Sequence, residues 1–342
     1  MWSKALWWKE YKQVKWLVWL FPVVHFVAVG LQRLDTWYLD DEERIRMQVQ
    51  YITDATGAYS NGVMESTARV LLAILLVVIG GLLVGAERRN GVQEMTFALP
   101  YSRQQLFWTK WMFGLILIVG SMLLNSVLDM IIMANSPVSE FFNLQYHLFQ
   151  FVYTVFVLIA VYSTVLFIGA ISGSMAAQTI FTGILAGLPI GFSLLLQQFL
   201  DVHNLERWTY TYYSSDVYSY GWYNPFNQFM ENISLIKYLF VEMERENSYP
   251  ILVPAVYALV STVGGYAAFA WNRVENNGKL MLFRIGETVL KIGFVVCASL
   301  LGAAFLSSIF RNELISYYIG LLVSMVLSTI LIRRLTRVRW KI

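Results

Sequence analysis

Asp129 is the residue of this 342-residue chain whose type and place most plainly could do chemistry. It stands in LLNSVLDMIIMAN, near the end of a long apolar run, where a carboxylate is costly and is by default a candidate for carrying a proton or meeting a ligand. The competing reading is that the span ends before it and leaves it at the interface. His25, beside Pro22 in the weakest apolar run, is a second candidate, against the plainer reading of a structural histidine at a helix contact. Four consecutive acids, Asp40 to Glu43, offer paired carboxylates that could bind a cation or move protons. Asp40 and Asp41 are where a polytopic enzyme, such as a lipid-linked glycosyltransferase, would activate its acceptor. However, Asp40 and Glu43 also have capping-box spacing, with acids in the first turn of a helix and Arg44 and Arg46 near enough to neutralise them. We read this stretch as a helix start. Tyr212, Tyr213, Tyr220 and Trp222 belong to a crowded aromatic stretch that could platform a sugar or amphiphile. Membrane–water interface anchoring needs only that composition, and is the reading adopted.

The surroundings of these residues are strongly apolar. The chain is 57% hydrophobic and 14% charged, with a mean hydropathy of +0.55. Soluble domains carry about 25% charged residues, so this is a membrane protein. Cys297 is the sole cysteine, which excludes an internal disulfide and a cysteine-rich metal site; no metal ligands and no catalytic residues are expected. At roughly 20 apolar residues per crossing, the runs predict an all-α polytopic protein. Its eight spans lie near residues 14–32, 67–86, 111–134, 148–171, 176–200, 250–271, 288–309 and 315–333.

Charge sets the expected orientation. With the N-terminus inside, the inner segments hold 17 of the 25 Lys and Arg and five of the 22 acids, and this excess predicts that both termini face the cytoplasm. Residues 1–14 then read as an in-plane amphipathic helix, with Lys4, Lys12 and Lys15 on one arc and Leu6, Trp7, Tyr11, Val14 and Leu17 on the other. Glu10 intrudes on the apolar arc. The region 201–249 is outside and ends in a short amphipathic helix within 232–246. Residues 272–342 add a basic inner loop and a transmembrane hairpin.

The inner segment 87–110, ERRNGVQEMTFALPYSRQQLFWTK, is too long for a tight turn. Glu87, Arg88 and Arg89 leave the second span as a charged cuff; Gly91 permits a turn, and Pro100 ends any helix running from about 92 to 98. Ser102 with Gln105 predicts a capped restart into the third span. Met95, Phe97 and Leu99 give the short helix between them apolar side chains that a plain loop would not need.

The order Glu87, Gly91, Glu94, Leu99, Pro100, Ser102, Arg103 and Lys110 resembles the segment between the second and third spans of ABC-2 type transporter permeases. That segment typically runs Glu, Gly-Thr, Glu, Leu-Pro-x-Ser-Arg and then Lys; Val92 departs from its threonine. GAISGSMAAQ at 169–178 and NPF at 224–226 are similar to the same family, and the likeness in layout covers residues 1–271. The common plan stops at six spans, so the hairpin in 272–342 is additional. More loosely, the pattern is similar to permease subunits of Gram-positive exporters linked to acetoin use and cell-wall stress.

The resemblance implies a transmembrane subunit with no ATPase of its own. It would pair with a second permease chain, as a homodimer or heterodimer, and rest its coupling helix on cytoplasmic ABC ATPase subunits that hold ATP and Mg. The contacts implied are Glu87, Gly91, Glu94, Pro100, Arg103 and Lys110. The chain has no G-x-x-x-x-G-K-[ST] run to cradle phosphates. Membrane lipids are the other expected partner, nucleic acid is not one, and the implied activity is export of an amphiphilic or cell-envelope-related substrate.

Overall fold

The computed structural model describes residues 4–60, 65–89, 95–96, 100–203, 205, 210–212, 218–220, 223–241, 251–271, 280–310 and 313–337. It is an all-α membrane protein, with one small hairpin among its helices. In chain order the elements are α1 (Lys4–Leu39), α2 (Glu42–Tyr51), α3 (Ala55–Ser60), α4 (Glu65–Ala86), α5 (Arg103–Ala134), α6 (Leu144–Ile171) and α7 (Met175–Val202). Then come β1 (Tyr210–Tyr212), β2 (Tyr218–Tyr220), α8 (Tyr223–Ile233), α9 (Leu235–Phe240), α10 (Leu252–Ala270), α11 (Arg284–Ile309) and α12 (Glu313–Arg337). Among the described residues, eight helices are long and apolar enough to cross a membrane: α1, α4, α5, α6, α7, α10, α11 and α12.

The 36 residues of α1 would span roughly 54 Å, far more than a hydrocarbon core of about 30 Å. The helix accordingly bends at Val14 (φ −126°, ψ 16°), which separates the Lys- and Trp-rich start from the apolar run. The expected helix over 1–14 and the first span are thus one element with a break. Beyond the break, α1 widens into π-helical turns at Phe26–Gly30 and Asp35–Leu39, and α4 does so at Gly81–Ala86. Widened turns leave backbone carbonyls open to side-chain donors, and they are frequent at functional sites.

Contacts divide the chain into two compact units. The first holds Met1–Ala170 and Leu235–Trp271, and so contains α1 to α5, nearly all of α6, then α9 and α10. Its interior helix is α6, with Tyr153, Val157, Leu158, Ala160 and Val165 fully buried. The second holds Ile171–Ser234 and Asn272–Ile342, with α7, the hairpin, α8, α11 and α12. There α11 and α12 pack through glycines: a Cβ on Gly302 would stand 1.7 Å from Ser324 Oγ, and one on Gly320 would stand 2.7 Å from Gly302 O. Small residues are what allow such close backbone approach between lipid-embedded helices. At the other end of this unit the loop after α6 joins the lead-in to α11. Leu282 N–H donates to Ile171 O (2.9 Å), and Ser172 forms a one-residue bridge with Met281.

The region 201–249 departs from the expected layout. Strands β1 and β2 pair antiparallel, Tyr210 opposite Tyr220 and Tyr212 opposite Tyr218. A helix missed in the sequence, α8, follows, and the expected helix within 232–246 is the six-residue α9. Tyr213 and Trp222 lie outside the described residues, as do 242–250.

Candidate functional site

The first unit carries two buried polar clusters, one at each end of its long helices. Lys110 and Asp129 mark them on α5, roughly 29 Å apart at 1.5 Å per residue along one uninterrupted helix. That separation is close to the thickness of a hydrocarbon core.

The cluster at the Lys110 end joins three elements. Lys110, 1% exposed, donates from Nζ to both carboxylate oxygens of Glu10 (2.9 Å each) and to Leu83 O (2.7 Å), a carbonyl in the widened turn of α4. Glu87 Oε1 lies 2.9 Å from Lys110 Nζ and 2.5 Å from Lys9 Nζ. Lys9 also reaches Thr96 Oγ1 (3.4 Å), in the stretch between α4 and α5. Two lysines face two glutamates where water is almost absent, which is the condition under which buried charges are tolerated. Burial raises the pKa of Glu87, but Lys110 and Lys9 together outweigh it and hold the carboxyl below its ordinary value. Glu87 therefore contributes stability that is present above its unfolded pKa and is lost as pH falls through the lowered folded one. Arg88 is pushed down to about 10 by burial, with Glu87 opposing, and stays charged at neutral pH; it donates to Gly169 O (2.5 Å).

The start of α5 is built as the sequence predicted. Ser102 Oγ accepts from Gln105 N–H (3.2 Å), and Gln105 Oε1 accepts from Ser102 N–H (3.0 Å), which closes a capping box. Pro100 is an exposed bend, and Arg103 donates to Ala270 O (3.3 Å). Tyr162 on α6 donates to Lys110 O (2.7 Å) and lies over Gly114, where an added Cβ would meet its ring at 2.1 Å. Gly114→Val is expected to push Tyr162 off Lys110 and to cost about 1–3 kcal/mol by overpacking. A lower midpoint of thermal unfolding, followed by tryptophan emission, would be the sign. Gly91 and Glu94 of the coupling segment lie outside the described residues, as do Phe97 and Leu99.

The opposite cluster gathers around Asp129. Arg33, 0% exposed, brings Nε to 2.5 Å from Asp129 Oδ1 and Nη2 to 3.3 Å from Glu65 Oε1, and it donates from Nη1 to Tyr59 O (3.0 Å). Arg33 lies in the single turn between the two widened stretches of α1. Tyr146 donates to Glu65 Oε1 (2.5 Å) and stacks on Tyr59 with ring centroids 4.0 Å apart. His147 sets Nδ1 3.2 Å from Asp129 Oδ2 and Nε2 3.1 Å from Tyr59 Oη. His25 and Asp129 line one small cavity of about 40 Å³ together with Glu65, Arg69, Asn125 and His147. The two intramembrane candidates are thus brought together.

Sequence reading missed most of the partners. The predicted spans 14–32 and 148–171 stop one residue short of Arg33 and begin one residue after His147, so neither residue stood out as intramembrane. An intramembrane carboxylate calls for a basic partner on a neighbouring helix, and that signal pointed to Arg33. Glu10, the acid out of step with the apolar arc of α1, was the other legible signal.

The acidic run behaves as a helix start, with one correction. Asp41 occupies the N-cap position of α2 without a side-chain capping bond, and Asp40 Oδ1 accepts from the next residue's N–H (2.9 Å), so the Asp40–Glu43 capping box does not form. Asp40 pairs with Arg44 (3.5 Å) and Glu42 with Arg46 (3.7 Å), the neutralisation the sequence suggested. Among the described residues no group of three His, Cys, Asp or Glu could hold a metal ion. Tyr212 and Tyr220 are strand residues.

Eight apolar helices among the described residues, with charged clusters buried between several of them, define a polytopic membrane protein. Residues 6–193 match the ABC-2 family transporter protein family, more than half of the chain, and the chain belongs to that family as an ABC-2 type permease. Two curated proteins of Bacillus subtilis (strain 168) are similar to it. One is the probable ABC transporter permease YtrD, 25% identical over 239 residues, covering 70% of this chain and 69% of the relative. The other is the probable ABC transporter permease YtrC, 25% identical over 247 residues, covering 70% of this chain and 71% of the relative. No solved structure matches the chain.

Proposed function

We propose that this chain is the transmembrane subunit of an ABC exporter and that residues 87–110 take up the movement of a separate cytoplasmic ATPase subunit. Both termini and the Lys110 cluster then face the cytoplasm, and Asp129 faces the outer side. ATP and Mg stay on the ATPase, a second permease chain completes the pathway, and the cargo is an amphiphilic or cell-envelope-related molecule.

The observation that carries this reading is the Lys9–Glu10–Glu87–Lys110 cluster. It fastens the start of α1, the end of α4 and the start of α5 to one another at the root of the 87–110 segment. A push on that segment would therefore move three elements together instead of being absorbed by a loose loop. Met95 supports the docking role: it is helical and 74% exposed, the form an apolar knob takes when its pocket lies on another protein.

Charge reversal at the segment tests the proposal. Arg103→Glu leaves a helix-compatible acid in the first turn of α5, so the fold should survive. Glu94→Arg reverses the other arm. The permease would be co-expressed with candidate ABC ATPase subunits from the same genome and purified through a tag on the permease. The expected result is at least about a tenfold loss of co-purified ATPase and of ATP-driven transport, the effect of removing roughly 1.4 kcal/mol of contact energy. Unchanged assembly and transport in both variants would refute the assignment.

A further inference from the structure

The opening stretch of α1, up to the bend at Val14, turns one arc inward and leaves the other open. Leu6, Glu10 and Val14 are buried, and Glu10 is committed to Lys110 and Lys9. At about 100° per residue the other half of the helix carries Lys4, Trp8, Tyr11 and Lys12. Between that half and α5 lies a groove of about 760 Å³, lined by Lys4, Ala5, Trp7, Trp8, Tyr11 and Phe113. Sites that hold small molecules run from roughly 300 to 1,000 Å³. We propose that this groove binds one anionic phospholipid, with an acyl chain along Trp7, Trp8 and Phe113 and the phosphate held by Lys4 and Lys12. The proposed function bears on this in one respect: it makes the lipid one of the inner leaflet.

The walls suit a hydrocarbon chain. Trp7 and Phe113 lean together with ring centroids 5.9 Å apart, and Trp8 stacks on Tyr11 at 5.6 Å. Phe113 lies three residues further into the apolar run of α5 than Lys110, so the groove leads from a charged rim toward apolar surface. Indoles and ammonium groups side by side are what a chain presents to a lipid headgroup layer.

Charge decides the headgroup. Lys12 Nζ stands over the Trp8 ring, 5.4 Å from its centroid, which keeps its charge beside the groove that Lys4 itself lines. Both lysines are exposed, and neither pairs with a carboxylate among the described residues; the ion pairs of this stretch belong to Lys9 and Glu10. Tyr11 Oη accepts from Trp19 Nε1 (3.3 Å), which leaves its own hydrogen for an ester or phosphate oxygen. A quaternary ammonium would suit the rings, but it would set a third cation beside two ammonium groups. A headgroup of net negative charge meets both lysines without that conflict. The lipid would press on the outward half of the same helix whose inward side gives Glu10 to Lys110, so its binding would stiffen that fastening.

Native mass spectrometry of the full-length permease, without ATPase, would count the lipids kept on release from micelles doped with phosphatidylglycerol or phosphatidylcholine. One phosphatidylglycerol per chain is expected, held about tenfold or more tighter than phosphatidylcholine. Lys4→Gln with Lys12→Gln should erase that preference, and Lys4→Arg with Lys12→Arg should keep it. Ala5→Trp fills the groove from an exposed position and should weaken retention of both lipids by about tenfold. Arg333→Gln with Arg334→Gln removes the same charge from exposed positions near the end of α12 and should change nothing. An unfolding midpoint unchanged in lipid-free detergent would show that each variant has folded. In a second measurement, phosphatidylglycerol should raise that midpoint in the parent chain and not in Ala5→Trp. Equal retention of the two lipids by the parent, undiminished binding in Ala5→Trp, an equal loss in the Arg333 and Arg334 pair, or displacement of the lipid by inorganic phosphate would overturn the proposal. Since no ATPase is present, none of these outcomes bears on the coupling segment.

Discussion

Lys110→Met is expected to cost about 3–5 kcal/mol of stability, among the largest effects of any single substitution in this chain. Methionine fills much of the same volume, so packing changes little. What is lost is the charge that faces Glu10 and Glu87, which are 1% and 4% exposed and would be left with Lys9 alone. Leu83 O would also lose its donor. The expected readout is a large fall in the midpoint of thermal unfolding in detergent, with a matching loss of monodisperse protein. Lys110→Met combined with Glu10→Gln should recover part of that loss, because it removes one of the stranded carboxylates; a recovery of about 0.5–3 kcal/mol would measure the coupling. If Lys110→Met melted like the parent chain, the cluster would not be the fastening we take it for.

Arg33→Met is expected to be comparably severe, at about 3–5 kcal/mol, for the same reason at the other end of the unit. Arg33 serves Asp129, Glu65 and Tyr59 O at once. Its loss leaves two carboxylates around one small cavity, with Arg69 the remaining guanidinium in the lining. Arg69 is itself committed to backbone carbonyls, donating to Leu239 O (3.1 Å) and to Val241 O. Lysine should not substitute well, since one ammonium cannot reproduce a planar fork that reaches three acceptors. Arg33→Lys is therefore expected to recover less than half of the loss in unfolding midpoint. Full rescue would mean that charge alone, without the fork, holds α1, α4 and α5 at this end.

The capping box at Ser102 and Gln105 was legible because it involves neighbours three residues apart and needs only a helix to follow. The box at Asp40 and Glu43 had the same spacing and did not form, because the helix starts one residue later and Asp40 turns to the next backbone N–H. The bend at Val14 and the widened turns of α1 and α4 left no mark in composition. Each reflects what the facing helix requires: the Gly81–Ala86 turn opens Leu82 O to Gln13 (2.5 Å) and Leu83 O to Lys110. The β1–β2 pair escaped notice because the same tyrosines also suit a membrane interface.

By itself the sequence determined the class of protein and the number and position of its spans. Those properties are local, set by some twenty apolar residues in a row or by charges and glycines a few positions apart. Only the tertiary structure decided which charges meet. Glu10 and Lys110 are 100 residues apart, Lys9 and Glu87 are 78 apart, and Asp129 finds Arg33 on another helix. A buried charge must have a partner, but which partner depends on the order in which helices pack, and no short window of sequence records that order.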